Sequence, residues 1–357
     1  MQKTASMEAI SLLYEQDAQP VIGVSGRTVR FLNQAARTLF GDVIPGTAIR
    51  KLLPEHVALH QASAFFATAK IKGQAFCVVL SSMPGLRIFR LVPVRRDVPF
   101  PHILVPSDLF SLELGLSSAY FSASAAERED LTFRHYAARL EHATDQLRRW
   151  VQNASTLQQL LQGGVHPAEH VVDCAALTGS ILENVQTLLD RRGIRVSLTL
   201  PESACGVRMS PELYETLLLN LLSNAIKSCR DNVTVSLTKG TRTVHLRVRD
   251  TGSGFPDGVL TDIFHAYSMG VLPHARQQHA GYGLPVCFAA AEDLGGSLLI
   301  ESSRGSGAAV HVILPLAASG KAILHAPAKP DAQECARDFR IALSDALSDD
   351  DYYSENN

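Results

Sequence analysis

Residues 220–229 read NLLSNAIKSC. Two asparagines four residues apart, and a lysine three residues further on, interrupt a leucine-rich run. Asparagine sits poorly in a helix interior because its amide competes with the backbone for hydrogen bonds. Yet the surrounding stretch, PELYETLLLNLLSNAIKSCR from Pro211, reads as a helix with Ser210 as its cap and Pro211 at its first position. At about 100° per residue, Asn220, Asn224 and Lys227 fall on one stripe, with Leu218, Leu222, Ala225 and Cys229 opposite. A solvated stripe more usually carries Glu, Lys, Arg and Gln. Amide oxygens are neutral hard ligands that suit a magnesium ion already carrying phosphate oxygens, and lysine pairs with phosphate as a point charge. Taken alone, the stripe is either a solvated face or a wall of a phosphate pocket.

Downstream, LRVRDTGSGFP (246–256) ends an alternating strand on Asp250, followed by Gly252 and Gly254. A carboxylate at a strand end beside a glycine turn can accept a hydrogen bond from a ligand N–H while the backbone comes close. It is also ordinary turn chemistry. In HAGYGLPVC (279–287), Gly281 and Gly283 precede a helix whose free N–H groups could meet phosphate. Gly305 and Gly307 mark a tight turn in the last hairpin.

Around these motifs, helices alternate with strands from about 165 to 318. ALTGSILENVQTLLDRRG (176–193) is an amphipathic helix ended by Gly193, IRVSLTL is a strand, and VTVSLTKGTRTVHLRVRD is a hairpin turning at Lys239-Gly240. LPVCFAAAEDLGG is a helix stopped by glycines, and SLLIESSRGSGAAVHVILPL is a second hairpin. This pattern predicts a two-layer α/β sandwich. The motifs in this order resemble the nucleotide-binding domain of histidine kinases, in the superfamily shared with gyrase, Hsp90 and MutL ATPases. NLLSNAIK resembles its asparagine box, IFHAY (263–267) its phenylalanine box, and DTGSGFP and GYGL its two glycine boxes. The resemblance implies ATP and Mg2+ as cofactors. It implies that Asn224 holds the magnesium, that Asn220 and Lys227 approach the phosphates, and that Asp250 receives the adenine amino group. Gly252 and Gly254 would shape the base pocket, Gly281, Gly283 and Leu284 would close over the phosphates, and 255–280 would form a mobile lid.

The rest of the chain reads as a multidomain α+β protein. After an extension over 1–17, residues 18–96 alternate strands and turns. PVIGV and TVRFL flank Ser25-Gly26, Asn33 caps the short helix QAARTLF, Gly41 closes it, and the strands QAFCVVL and LRIFRLVPV follow across the turn MPG. That opening resembles a PAS sensor domain, which implies a small-molecule ligand there. A proline-broken linker spans 97–106. Over 107–164, Leu109, Leu112, Leu116, Ala119, Ala123 and Ala126, then Phe133, Tyr136, Leu140, Ala143, Leu147, Trp150, Ala154, Leu157 and Leu161, fall at spacings of three and four. This seam, broken near AERED (126–130), predicts a helical hairpin that pairs with a second copy as a four-helix bundle. Residues 319–357, Ala/Pro-rich and then acidic, read as a disordered tail.

In the place of a kinase's phosphoacceptor segment stands FSLELGLSS (110–118), with Phe110 at the histidine position and Ser111 at the acidic one. No histidine occurs between His102 and His135. His135 and His142 are alternative phosphoacceptors, both on an outward heptad position of the second helix. Three readings follow: a sensor histidine kinase relaying phosphate to a response regulator, an ATP-binding regulatory dimer that does not phosphorylate itself, or a phosphotransfer or phosphatase partner. A formal charge of −2 gives no electrostatic support for nucleic-acid binding. Six scattered cysteines suggest neither a zinc site nor a disulfide framework. With no bilayer-length apolar run and no signal pattern, a cytoplasmic protein is expected.

Overall fold

The apolar periodicities become one ten-stranded sheet, made of two five-stranded halves joined edge to edge. The structure, a computed structural model, describes residues 7–41, 43–60, 64–94, 131–163, 171–189, 192–255, 259–268, 282–302, 305–317, 324–325 and 332–353. The linker, the first hairpin helix with Phe110 and Ser111, and Gly281 lie outside the described residues.

Helix α1 (Met7–Tyr14) precedes strands β1 (Val21–Ser25) and β2 (Thr28–Leu32), which turn at Gly26. Asn33 caps α2 (Gln34–Phe40), its Oδ1 accepting from the N–H groups of Ala36 and Val21 at 2.9 Å. Its Nδ2 donates to the carbonyls of Tyr14, Asp17 and Gln19. This buried amide is therefore fully satisfied, and it fastens α1, β1 and α2 together. Short helix α3 (Glu55–Ala58) leads to strands β3 (Phe65–Ile71), β4 (Gln74–Met83) and β5 (Leu86–Pro93). The antiparallel order is β2-β1-β5-β4-β3.

After α4 (Leu131–Gln162), the second half runs β11 (Ser297–Ser302), β12 (Ala308–Pro315), β10 (Thr243–Asp250), β9 (Asn232–Lys239) and β7 (Arg195–Thr199). Helices α5 (Cys174–Leu189), α6 (Pro211–Ser228) and α8 (Gly283–Asp293) pack on it. Val244, Leu246 and Val248 of β10 point into this core, as their alternation requires. Ser210 caps α6, its hydroxyl accepting from Leu213 N–H at 3.2 Å. A small sheet joins β13 (Leu324–His325), β6 (Val171–Asp173) and β8 (Gly206–Arg208).

The two halves meet where β3 pairs antiparallel with β11, matching Ala67 to Leu299 and Phe66 to Ile300. Each strand thereby covers the other's exposed edge. The Leu299 side chain sits in the N-terminal core, and Phe66 packs its ring 5.0 Å from Phe264 of α7 (Val259–Ser268). Helix α7 occupies part of the expected lid, with Ile263, Phe264 and Tyr267 buried. This part of 255–280 is a packed helix.

One expectation is corrected here. The tail beyond 319 is not disordered throughout: α9 (Ala332–Leu343) and α10 (Asp349–Tyr353) pack against α4. Phe339, Leu343, Leu347 and Tyr352 enter the core. The acidic composition misleads because its carboxylates find partners: Asp349 bonds His142 at 2.6 Å, and Arg340 of α9 pairs with Glu141 at 2.6 Å and Asp145 at 3.1 Å. Inside the chain α4 buries a largely polar stripe, Ala138, His142, Asp145, Arg149 and Asn153; of the apolar seam Leu157 is also buried, Leu140 and Leu147 are half-buried and Ala143 is exposed.

Candidate functional site

A cavity of about 700 Å³ lies between α6, the facing ends of β10 and β12, α7, the N-terminus of α8 and α4. That size and its concave, mixed apolar and polar lining suit a small organic ligand. Asp250, Gly254, Asn224, Lys227, Gly283 and Leu284, all singled out in the sequence, line it.

Asp250 closes one end. It is 5% exposed, with Oδ1 accepting from Gly252 N–H at 2.8 Å and Oδ2 from Ala308 N–H at 3.2 Å. These bonds fix the plane of the carboxylate and leave further lone pairs for a ligand donor. Burial raises its pKa, against the lowering effect of the two backbone donors. Gly252 is required by close approach, since a Cβ there would stand 2.0 Å from the Ser228 carbonyl oxygen. Gly254 has φ 75°, the left-handed region that favours glycine. Val248, Val310, Val259 and Ile263 make the adjoining walls apolar.

The other end gathers donors. Asn224 is half-buried, and its Nδ2 is buried without a hydrogen-bond partner among the described residues. An orphaned amide is costly, and this one borders the cavity. Lys227 lies one turn further along α6 and is exposed. Among the described residues no side chain caps α8 at Gly283, which leaves its first-turn N–H groups open to a ligand. Trp150 of α4 meets Tyr282 at this rim, with ring centroids 5.2 Å apart.

Asn220 does not face the cavity as the stripe predicts. It is 4% exposed and pairs reciprocally with Asn153 of α4, each Nδ2 donating to the other's Oδ1 at 3.0 Å. Its Nδ2 also bonds the Thr216 carbonyl. Arg149 lies beside it, donating to Asn220 Oδ1 at 3.2 Å and Ser223 Oγ at 2.7 Å, and pairing with Asp345 at 2.8 Å. Helix wheels show one face at a time, so α6 gave no sign that a second helix covers its polar stripe. The available signal was on α4, whose polar residues at 142, 145, 149 and 153 keep helical spacing.

The histidine expectation is also corrected. His142 is 9% exposed, not outward. Its Nδ1 is held by Asp349 at 2.6 Å and its Nε2 lies 2.9 Å from the Ser344 carbonyl, while Tyr352 stacks on the ring at 4.8 Å. The tail helices that cover it are those the sequence reads as disorder. The His135 side chain lies outside the described residues.

Residues 209–318 match the family model described as histidine kinase-, DNA gyrase B-, and HSP90-like ATPase. The match takes in α6, the strands β9 to β12, and the cavity residues Asn224, Lys227, Asp250 and Gly283. The signal transduction histidine-protein kinase AfsQ2 of Streptomyces coelicolor is 27% identical over 136 residues, covering 38% of this chain and 25% of its own length. The adaptive-response sensory kinase SasA of a Synechococcus strain is 27% identical over 190 residues, 49% of this chain and 48% of its own. A solved structure of full-length ShkA in complex with AMPPNP is 21% identical, covering 60% of this chain and 46% of that one, with a TM-score of 0.47. The chain thus spans between a quarter and about half the length of these relatives.

Proposed function

We propose that this protein is a signalling protein of the histidine-kinase type that binds Mg-ATP in the cavity and does not phosphorylate a histidine of its own hairpin. The observation that carries the reading is the polarity of the cavity: a fixed, buried carboxylate at one end, and at the other a lysine with an amide and a helix N-terminus that have no side-chain partner among the described residues. The carboxylate suits the adenine amino group as acceptor. The far end suits phosphate. The Asn224 carbonyl oxygen fits a magnesium ion that takes its other ligands from phosphate and water. Magnesium, when bound, would neutralise charge on the phosphates. Gly281, Gly283 and Leu284 would border them.

Two facts speak against autophosphorylation. The sequence places Phe110 where the family has its histidine, and both ring nitrogens of His142 are engaged under the tail helices. The part of the α4 seam that the chain leaves uncovered, Ala143 with half-buried Leu140 and Leu147, supports pairing with a second copy, and a response regulator is the partner class that the relatives suggest. The N-terminal order of two strands, short helices and three strands supports a PAS-like sensor, with a small-molecule ligand as its input. Among the described residues, no helix is long and apolar enough to cross a membrane. The test is incubation of the full chain with γ-labelled ATP and Mg2+. Label on histidine should stay at background. Acid-labile phosphate mapped to His135 or His142 would restore the active-kinase reading.

A further inference from the structure

Resting on that reading of the cavity, we propose that Arg149 of α4 is a phosphate-binding residue of the nucleotide site, and that Asp345 of the C-terminal segment is its tethered competitor. The guanidinium is 4% exposed and sits between the asparagine stripe of α6 and the start of α8. A Cβ built on Gly283 would stand 3.0 Å from Asn220 Oδ1 and 3.8 Å from an Arg149 terminal nitrogen. The glycine makes room for the Asn220 amide, and the Arg149 guanidinium lies at contact distance beside it at the helix N-terminus. Arg149, Asn224, Lys227 and Gly283 all line the same end of the cavity.

Every one of these groups offers a donor, and the carboxylate that meets Arg149 comes from the segment beyond residue 318. Asp345 follows α9, has a side chain 44% exposed, and reaches the cavity wall to pair with Arg149 at 2.8 Å. A guanidinium fork binds carboxylate and phosphate with the same geometry. Asp345 thus fills the acceptor role that a nucleotide phosphate would take. Arg149 is anchored independently of it through Ser223 and Asn220, so the cation stays in place when the carboxylate leaves. The exchange replaces one anion by another at a fixed cation, and the C-terminal segment loses its ion pair when nucleotide is held.

The test is calorimetric titration of the full chain with Mg-ATP, Mg-ADP and adenosine, for wild type, Asp345→Asn and Arg149→Gln. Asp345→Asn should tighten both nucleotides by about threefold to tenfold, the scale of a partly exposed ion pair, and leave adenosine unchanged. Arg149→Gln should weaken both nucleotides by about tenfold or more, as for a lost charged hydrogen bond, again with adenosine unchanged. Retained adenosine binding shows that the variant pocket is folded. Unchanged or weaker nucleotide binding in Asp345→Asn overturns the competitor role, and unchanged nucleotide binding in Arg149→Gln overturns the phosphate contact. If none of the three ligands binds any of the proteins, the nucleotide reading of the cavity fails and this inference with it.

Discussion

Asp250→Asn isolates the base end of the cavity. The carboxylate is 5% exposed and already accepts the N–H groups of Gly252 and Ala308. Asparagine keeps the shape but retains a single acceptor oxygen. Its NH2 must then face either one of those backbone N–H groups or the ligand's amino group, donor against donor. The loss is one charge-assisted hydrogen bond, about 1.5–3 kcal/mol, or roughly tenfold to more than a hundredfold in affinity. Because the damage lies at the base, ATP, ADP and adenosine should weaken together, unlike the phosphate-selective pattern expected at Arg149. Titration calorimetry on all three reads this out, with a thermal melt to register the weakened turn at Gly252. Equal affinity of wild type and variant for all three ligands would refute the assignment of Asp250 to the adenine amino group. The same logic gives a pH direction: burial raises the Asp250 pKa, so base affinity should fall as acidification protonates the acceptor.

Further outcomes follow from the sheet junction and from α4. At the junction His56 is held by burial at a pKa of about 4, with His245 and His60 adding to the effect. His311 is held by burial at about 3, with His245, Arg247 and His60 adding, while Glu301 lies beside it. Both folded values lie below the ordinary 6.5, so the unfolded chain takes up protons first and stability falls as pH drops below about 6.5. At pH 5 the two together cost at most about 4 kcal/mol. Denaturant midpoints at pH 7.5 and 5 should therefore diverge in wild type and converge in a His56→Gln/His311→Gln variant, and parallel behaviour of the two would exclude the histidines. On α4, Leu140→Glu should convert a dimer to a monomer by light scattering and leave ATP affinity intact. A wild-type monomer at micromolar concentration would remove the pairing seam.

Local chemistry made much of residues 209–318 legible. Ser210 and Pro211 marked the start of α6, the alternation of Val244, Leu246 and Val248 marked β10, and the glycines after Asp250 marked the turn that carries the carboxylate to the cavity. These signals lie within a few residues of what they specify. What escaped was non-local. Strand β3, FFATAKI, is buried along most of its length because it joins the two halves of the sheet, so it lacks the alternation that betrays a half-exposed strand. Its pairing with β11 joins residues more than two hundred positions apart. The tail helices escaped because the carboxylates around Phe339, Leu343 and Leu347 look solvated until Arg340 and His142 are placed beside them. The stripe of α6 points Asn220 toward the pocket, because its partners Asn153 and Arg149 lie on another helix about seventy residues away in sequence.

A crystal structure of the full chain with Mg2+ and a non-hydrolysable ATP analogue tests the two-ended polarity of the cavity most directly. It should place the adenine amino group on the Asp250 carboxylate, and the phosphates at Asn224, Lys227 and the N-terminus of α8. An analogue bound elsewhere, or bound with its phosphates at the Asp250 end, would contradict it.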